Sequence, residues 1–293
     1  MISSKKTTWF QLIRLYGILV FSLIALNGIV LSGRADAAEH AVPGDVVPGI
    51  KANSYILMDG QSGNILAQRD ALRKRAPAST TKIVTGIVAL ESENLYSQVK
   101  ISSNAAETGE ASINLDEGEV MTLEALLYGA LLCSGNDACV AISEHIAGSV
   151  ECFRILMNQK AFLVGVENSQ FINPHGLPAK GHYSNAFDLA IMARYSLRNA
   201  NFSKIVSTKF KVIENITPPR KRYLYNTNQL LWGTEGAGGV KTGTTIEAGP
   251  CLVAAVSKHN RMLITVVLKS NDRYGDTRRL LDYGFNKIDN LKQ

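Results

Sequence analysis

Two strand-turn-strand patterns stand at opposite ends of a chain whose middle reads as helix, and that order leaves few folds open. Near the start, Ser54-Tyr55-Ile56-Leu57-Met58 and Asn64-Ile65-Leu66-Ala67-Gln68 flank the polar turn Asp59-Gly60-Gln61-Ser62-Gly63. Near the end, Cys251 to Ser257 and Met262 to Lys269 are apolar, β-branched runs joined by Lys258-His259-Asn260-Arg261. Between them, Ile83, Ile87 and Leu90, with Val84 and Val88, recur at helical spacing, and Pro77 with Ser79-Thr80 marks the start of that helix. Helical patterns recur over 122–132, 137–147, 153–164 and 186–197, and 276–288 reads as a closing helix. The expectation is an α+β chain in which an antiparallel sheet, built from both chain ends, packs with helices around a mainly helical insertion at roughly 100–200.

Residues 1–37 read as an export signal: Lys5, Lys6 and Arg14 precede an apolar run from Leu15 to Leu31, and Ala35-Asp36-Ala37 follows as a small-x-small cleavage site. An uncleaved membrane anchor stays open, because that run approaches the length needed to cross a bilayer. Residues 38–50, with Pro43, Gly44, Pro48 and Gly49, read as a linker into a folded domain over 51–293. The formal charge of the chain is +6. Without the signal, 27 basic side chains stand against 24 acidic ones, a net of +3. So small and scattered an excess argues against nucleic acid, while leaving association with anionic wall polymers or a membrane surface open. Cysteines 133, 139, 152 and 251 match no zinc spacing; Cys133 and Cys251 adjoin apolar runs, and free thiols are the preferred reading.

Three short patterns carry chemistry: Ser79-Thr80-Thr81-Lys82, Ser134-Gly135-Asn136 and Lys241-Thr242-Gly243. Ser-x-x-Lys also occurs at Ser3 and Ser97, but only Ser79 stands at a helix start. Three residues on, Lys82 lies on the same face. A serine hydroxyl needs a neighbour to take its proton, and a lysine can do so only when neutral. Burial and a second cation such as Lys241 would both favour the neutral form. The start of the helix also places the Ser79 backbone N–H where an oxyanion would form. Ser134-Gly135-Asn136 falls between two apolar helical runs. There Ser134 could relay a proton and Asn136 could bind a substrate backbone, although Asn136 before Asp137 reads equally as a helix cap. Lys241-Thr242-Gly243 suits a strand edge that pairs with an extended peptide and grips its carboxylate, or else an ordinary exposed turn.

Together, in this order, the three patterns resemble the signature set of the penicillin-recognising serine enzymes, which include penicillin-binding proteins and class A β-lactamases. Asn173-Pro174-His175-Gly176-Leu177-Pro178, Asn226-Thr227-Asn228, Gly239 to Thr245 and Glu247-Ala248-Gly249 look like the low-molecular-mass D-alanyl-D-alanine carboxypeptidases. The resemblance covers roughly residues 45 to 289 and implies a β-lactamase/transpeptidase-like fold. It implies removal of the terminal D-alanine from peptidoglycan stem pentapeptides through a Ser79 acyl-enzyme, inhibition by β-lactams, action outside the cytoplasmic membrane and no metal or organic cofactor. Residue by residue, Ser79 becomes the nucleophile, Lys82 the general base and Ser134 a proton relay. Asn136 orients the substrate, Lys241, Thr242 and Gly243 hold its carboxylate end, and the N–H groups of Ser79 and Thr244 form the oxyanion hole. His175 is given a loop-structuring role. The chain stops soon after Leu280-Leu281-Asp282-Tyr283-Gly284-Phe285, so the further β-rich domain of longer relatives is not expected.

Three rivals remain. A β-lactamase shares the motifs, and Glu167 stands about where a deacylating glutamate would, but Phe171 occupies the position four residues on where class A enzymes have Asn. A DD-endopeptidase would use the same machinery. A non-catalytic penicillin-binding sensor would have no need of Lys82.

Overall fold

The computed structural model describes residues 44–290. Strands β1 (Ser54–Asp59) and β2 (Ile65–Arg69) form the first hairpin, and β8 (Gly249–Lys258) and β9 (Arg261–Leu268) the second. With β7 (Ala237–Thr245) they make a five-stranded antiparallel sheet in the order β2-β1-β9-β8-β7. The two chain ends meet where β1 pairs with β9, Ile56 opposite Val266.

Every residue of β1 is buried because both faces of the sheet are covered. Tyr55 and Leu57 point to one side, where α9 (Arg273–Asn290) packs with Leu280, Leu281 and Ile288. Ile56 and Met58 point to the other side, into the larger core that holds Ile83, Ile87 and Leu131. Residues 44–50, read above as a linker, contribute the buried side chains Val47 and Ile50 to the α9 side. The export signal lies outside the described residues.

The helical part surrounds α1 (Lys82–Ser92), whose first eight residues are all buried. Around it stand α3 (Leu123–Leu132), α4 (Asn136–Ala147), α5 (Val150–Val164), α6 (Ala186–Ser196) and α7 (Ala200–Ser207), after the short α2 (Ser103–Ala106). Gly86 is the close-approach point of α1, since a Cβ there would lie 3.2 Å from Leu131 and 3.3 Å from Phe202. Helix α5 starts at Val150, earlier than its apolar period suggests, because the Ser149 side chain accepts from Cys152 N and caps it.

Two small sheets complete the chain, β3 (Gln98–Lys100) with β4 (Val120–Thr122) and β5 (Phe210–Glu214) with β6 (Lys221–Tyr225), and α8 (Leu230–Gly233) precedes β7. The buried Arg222 guanidinium ties β6 to the loop before β4, donating to Glu119 at 2.7 and 2.9 Å, to Ile113 O at 2.9 Å and to Asn114 O at 2.6 Å. All four cysteines are unpaired, Cys139 and Cys251 in the core and Cys152 on the surface.

Candidate active site

Ser79 sits in a 3-10 turn, Ala78–Thr81, that runs directly into α1, rather than in the first turn of the α-helix itself. The tighter winding matters, because at three residues per turn side chains i and i+3 eclipse. Lys82 therefore stands directly beside Ser79, its Nζ 3.0 Å from Oγ. Ala78, Thr80 and Thr81 are buried, so Ser79 is the residue through which this turn reaches solvent. Ala78 adopts φ +48° and Ser134 φ +68°, left-handed values that an L-residue holds only where its surroundings impose them.

Lys82 is fully buried and has two further partners, Asn136 Oδ1 at 2.8 Å and the His175 carbonyl at 2.7 Å. A neutral amine has two N–H bonds and one lone pair. Both of these partners accept, so they take the two N–H bonds and leave the lone pair for the Ser79 hydroxyl. Burial pushes Lys82 down to about 8, which brings the neutral form within reach at physiological pH.

The two acceptors are themselves fixed. Asn136 is the first residue of α4 rather than its cap, a place taken by Gly135, and its Nδ2 donates to Gly109 O at 3.0 Å. The neighbouring Asp137 carboxylate gathers Ser112 Oγ (2.6 Å) and the N–H groups of Ile113 (3.0 Å) and Leu115 (3.2 Å), shaping the loop that contains Gly109. The His175 carbonyl is held by a tight loop. Asn173 Oδ1 accepts from Gly176 N at 2.7 Å, its Nδ2 donates to Leu177 O at 2.8 Å, and Thr85 donates to Pro174 O at 2.6 Å. Gly176 combines φ +90° with so close an approach that a Cβ would fall 1.9 Å from Ala78 O.

The His175 imidazole takes no part in this contact. Burial, with the Lys82 charge adding to it, pushes the ring down to about 3, and its Nδ1 accepts from Leu177 N. His182 is likewise neutral, pushed by burial to about 4. Its Nδ1 accepts from Ile172 N, so its Nε2 carries the proton given to Thr81 Oγ1 at 2.9 Å.

Strand β7 closes the other side of the site. Gly243 lies against the Ser79 turn, where a Cβ would come within 2.9 Å of Ser79 N. Lys241 is buried and donates to Thr242 O at 3.0 Å. Burial, with the Lys82 charge adding to it, pushes Lys241 down to about 7. Thr242 Oγ1 meets Thr227 Oγ1 at 2.7 Å, and Thr227 N donates to Leu132 O just before Ser134. Ser134 itself is buried at the break between α3 and α4.

The free edge of β7 is available to a peptide. Thr244 pairs with Pro250, which has no N–H and whose carbonyl accepts from Ser270 on its far side. In an antiparallel ladder such a pair is the non-bonded kind, so the Thr244 N–H points away from the sheet towards the Ser79 turn. Arg273, at the start of α9, donates to Thr244 Oγ1 at 3.0 Å and to Gly243 O at 3.2 Å, adding a cation that no sequence pattern had singled out. Thr227 appeared only within a longer stretch of resemblance. The structure thus brings together Ser79, Lys82, Asn136 and the Lys241–Thr244 edge, with Ser134 at the break leading into α4, and leaves His175 a backbone contact.

The two depressed lysines have a consequence for stability. Each binds a proton less readily in the folded than in the unfolded chain, so stability rises with pH from about 7 to the usual lysine range near 10.5. The Cys139 and Cys251 thiols, pushed up by burial to about 11, work in the opposite sense above about pH 9. Urea denaturation should therefore show a gain of about 3 kcal/mol between pH 7 and 9. A curve that is flat or falls over that interval would contradict two depressed lysines.

A buried lysine beside a partly exposed serine at a free sheet edge, on a sheet made from both chain ends, defines the β-lactamase/transpeptidase-like class of serine enzymes. Within that class, residues 40–272 match the family described as D-alanyl-D-alanine carboxypeptidase, peptidase family S11, and the chain belongs to that family. It is 37% identical over 247 residues to D-alanyl-D-alanine carboxypeptidase DacF of Bacillus subtilis, covering 82% of this chain and 63% of the relative. To DacC of Escherichia coli it is 35% identical over 267 residues, covering 86% of this chain and 64% of that one. The chain thus spans somewhat under two thirds of the length of these relatives. The crystal structure of the Streptomyces K15 DD-transpeptidase superposes with a TM-score of 0.78 at 32% identity, over 82% of this chain and 99% of that one.

Proposed function

We propose that this chain is a serine-type D-Ala-D-Ala carboxypeptidase that removes the terminal D-alanine from peptidoglycan stem pentapeptides. The carrying observation is the buried Lys82 amine, whose two fixed acceptors leave its lone pair for Ser79. Lys82 takes the Ser79 proton as Oγ attacks the carbonyl of the penultimate D-alanine. The resulting oxyanion is received by the N–H groups of Ser79 and Thr244. Collapse breaks the peptide bond, the departing amine gains its proton through Ser134, and water then releases the acyl group from Ser79. Asn136 orients the peptide, while Lys241, Thr242 and Gly243, with Arg273 beside them, receive the terminal carboxylate. A β-lactam would follow the same first step and remain as a stable ester.

The export-signal pattern of residues 1–37 supports action outside the cytoplasmic membrane, at the wall or at the outer face of that membrane. Among the described residues no helix is long and apolar enough to cross a membrane.

Intact-protein mass spectrometry after exposure to penicillin, with D-alanine release from a D-Ala-D-Ala pentapeptide, tests the reading. One long-lived adduct mapped to Ser79 and one D-alanine per peptide are expected. Rapid turnover of penicillin would indicate a β-lactamase instead, and neither adduct nor release would leave a binding module.

A further inference from the structure

Thr227 is exposed while its neighbours Asn226 and Asn228 are buried, and its hydroxyl turns to the site, meeting Thr242 Oγ1 at 2.7 Å. A bond between two hydroxyls has a direction. If Thr242 donates, its proton is engaged and only its lone pairs face an incoming carboxylate, which repels them. If Thr227 donates, the Thr242 proton stays free to bond the anion.

The second direction requires the Thr227 hydroxyl to be held against Thr242, and the loop that carries it is pinned from several sides. Asn226 Nδ2 donates to Val206 O at 3.1 Å and to Thr208 O at 3.0 Å, and Thr227 N donates to Leu132 O at 3.1 Å. From α9, Tyr274 Oη donates to Thr227 O at 3.0 Å and accepts from Gln229 N at 3.2 Å. One tyrosine hydroxyl thus clamps residues 227 and 229. The Tyr274 ring also lies against the Arg273 guanidinium, whose carbon is 5.2 Å from the ring centre. Arg273 in turn reaches Thr244. The first turn of α9 therefore supports β7 twice, at Thr242 through Thr227 and at Thr244 through Arg273.

We propose that Thr227 and Tyr274 are positioning residues of the carboxylate subsite. Tyr274 fixes the Thr227 backbone, and the Thr227 hydroxyl donates to Thr242 Oγ1, so that the Thr242 proton is kept for the terminal carboxylate. Neither residue needs to touch the peptide. The assignment rests on the carboxypeptidase reading, which gives Thr242 that carboxylate.

The test measures kcat and KM for D-alanine release from a D-Ala-D-Ala pentapeptide by the wild type, Thr227→Val, Thr227→Ser, Tyr274→Phe and the double variant Thr227→Val with Tyr274→Phe. Tyr274→Phe keeps the ring beside Arg273 and removes only the hydroxyl. Thr227→Val should raise KM about fivefold, the scale of one hydrogen bond, with kcat within about twofold, because binding shared by substrate and transition state is lost. Thr227→Ser should restore KM to near the wild-type value, and Tyr274→Phe should raise it about threefold. Because Tyr274 acts through Thr227, the double variant should match Thr227→Val alone instead of multiplying the two effects. Independent, multiplying effects, a fall in kcat at unchanged KM, or no rescue by serine would overturn the assignment. Wild-type protein that acylates with penicillin but releases no D-alanine would instead defeat the carboxypeptidase reading, and the assignment with it.

Discussion

Lys82→Met should slow acylation of Ser79 by about a thousandfold while leaving the protein folded, because it removes the base and little else. Proton transfer by a positioned side chain is worth about 10²–10⁴ in rate. The stability effect is a near balance. Methionine leaves Asn136 Oδ1 and the His175 carbonyl without a donor, at about 1–3 kcal/mol for each buried acceptor. Against that, it relieves the burial of an ammonium whose pKa has fallen from 10.5 to about 8, worth about 3 kcal/mol at neutral pH. The net change in stability should therefore lie between a gain of about 1 kcal/mol and a loss of about 3 kcal/mol. Stopped-flow acylation by a chromogenic β-lactam and a urea melt read the two effects separately. The wild-type acylation rate should rise through about pH 8 as Lys82 loses its proton, and the variant should lack that rise. Near-normal acylation in the variant would remove Lys82 from the role of base.

Gly243→Ala should cost about 10²–10³ in acylation by a different route, through the oxyanion donors. The added methyl would stand 2.9 Å from Ser79 N, 3.1 Å from Thr80 N and 3.1 Å from Ala78 Cβ. These neighbours are a backbone turn and its buried first residue, which cannot rotate aside as the end of a flexible side chain could. Strand β7 and the turn must then separate by several tenths of an ångström, and the Ser79 and Thr244 N–H groups move apart with them. Gly243 has no left-handed φ, so the effect comes from crowding alone. Overpacking of this kind costs about 1–3 kcal/mol of stability, which leaves the acylation rate measurable. A rate within tenfold of wild type would mean that the oxyanion is not held between these two elements.

Both variants act where local pattern and long-range packing meet. The hairpin β1–β2, the strands β8 and β9 and the helix α1 were legible because continuous or alternating apolar runs carry their own period. Strands β5 and β6 were not. Their outward faces hold Phe210 and Val212 opposite Tyr225 and Tyr223, exposed apolar residues that obscure the usual alternation of inside and outside. Helix α7 was missed for want of length, only Phe202, Ile205 and Val206 being buried in it. Asn136 read equally as a cap and as a site residue. Only the fold separated the two, by seating Gly135 at the cap and turning the Asn136 carboxamide towards Lys82.

What the amino-acid sequence determined by itself is what neighbours along the chain can enforce: the order of elements, and the pairing of Ser79 with Lys82 through a spacing of three. The tertiary structure alone decided what that pair can do. The acceptors that turn the Lys82 lone pair to Ser79 come from residues 54 and 93 positions further along. Arg273 reaches Thr244 from 29 residues beyond. The depressed values of Lys82 and Lys241 arise from burial on every side. Desolvation and approach across the chain depend on the packed interior, and no local spacing encodes them.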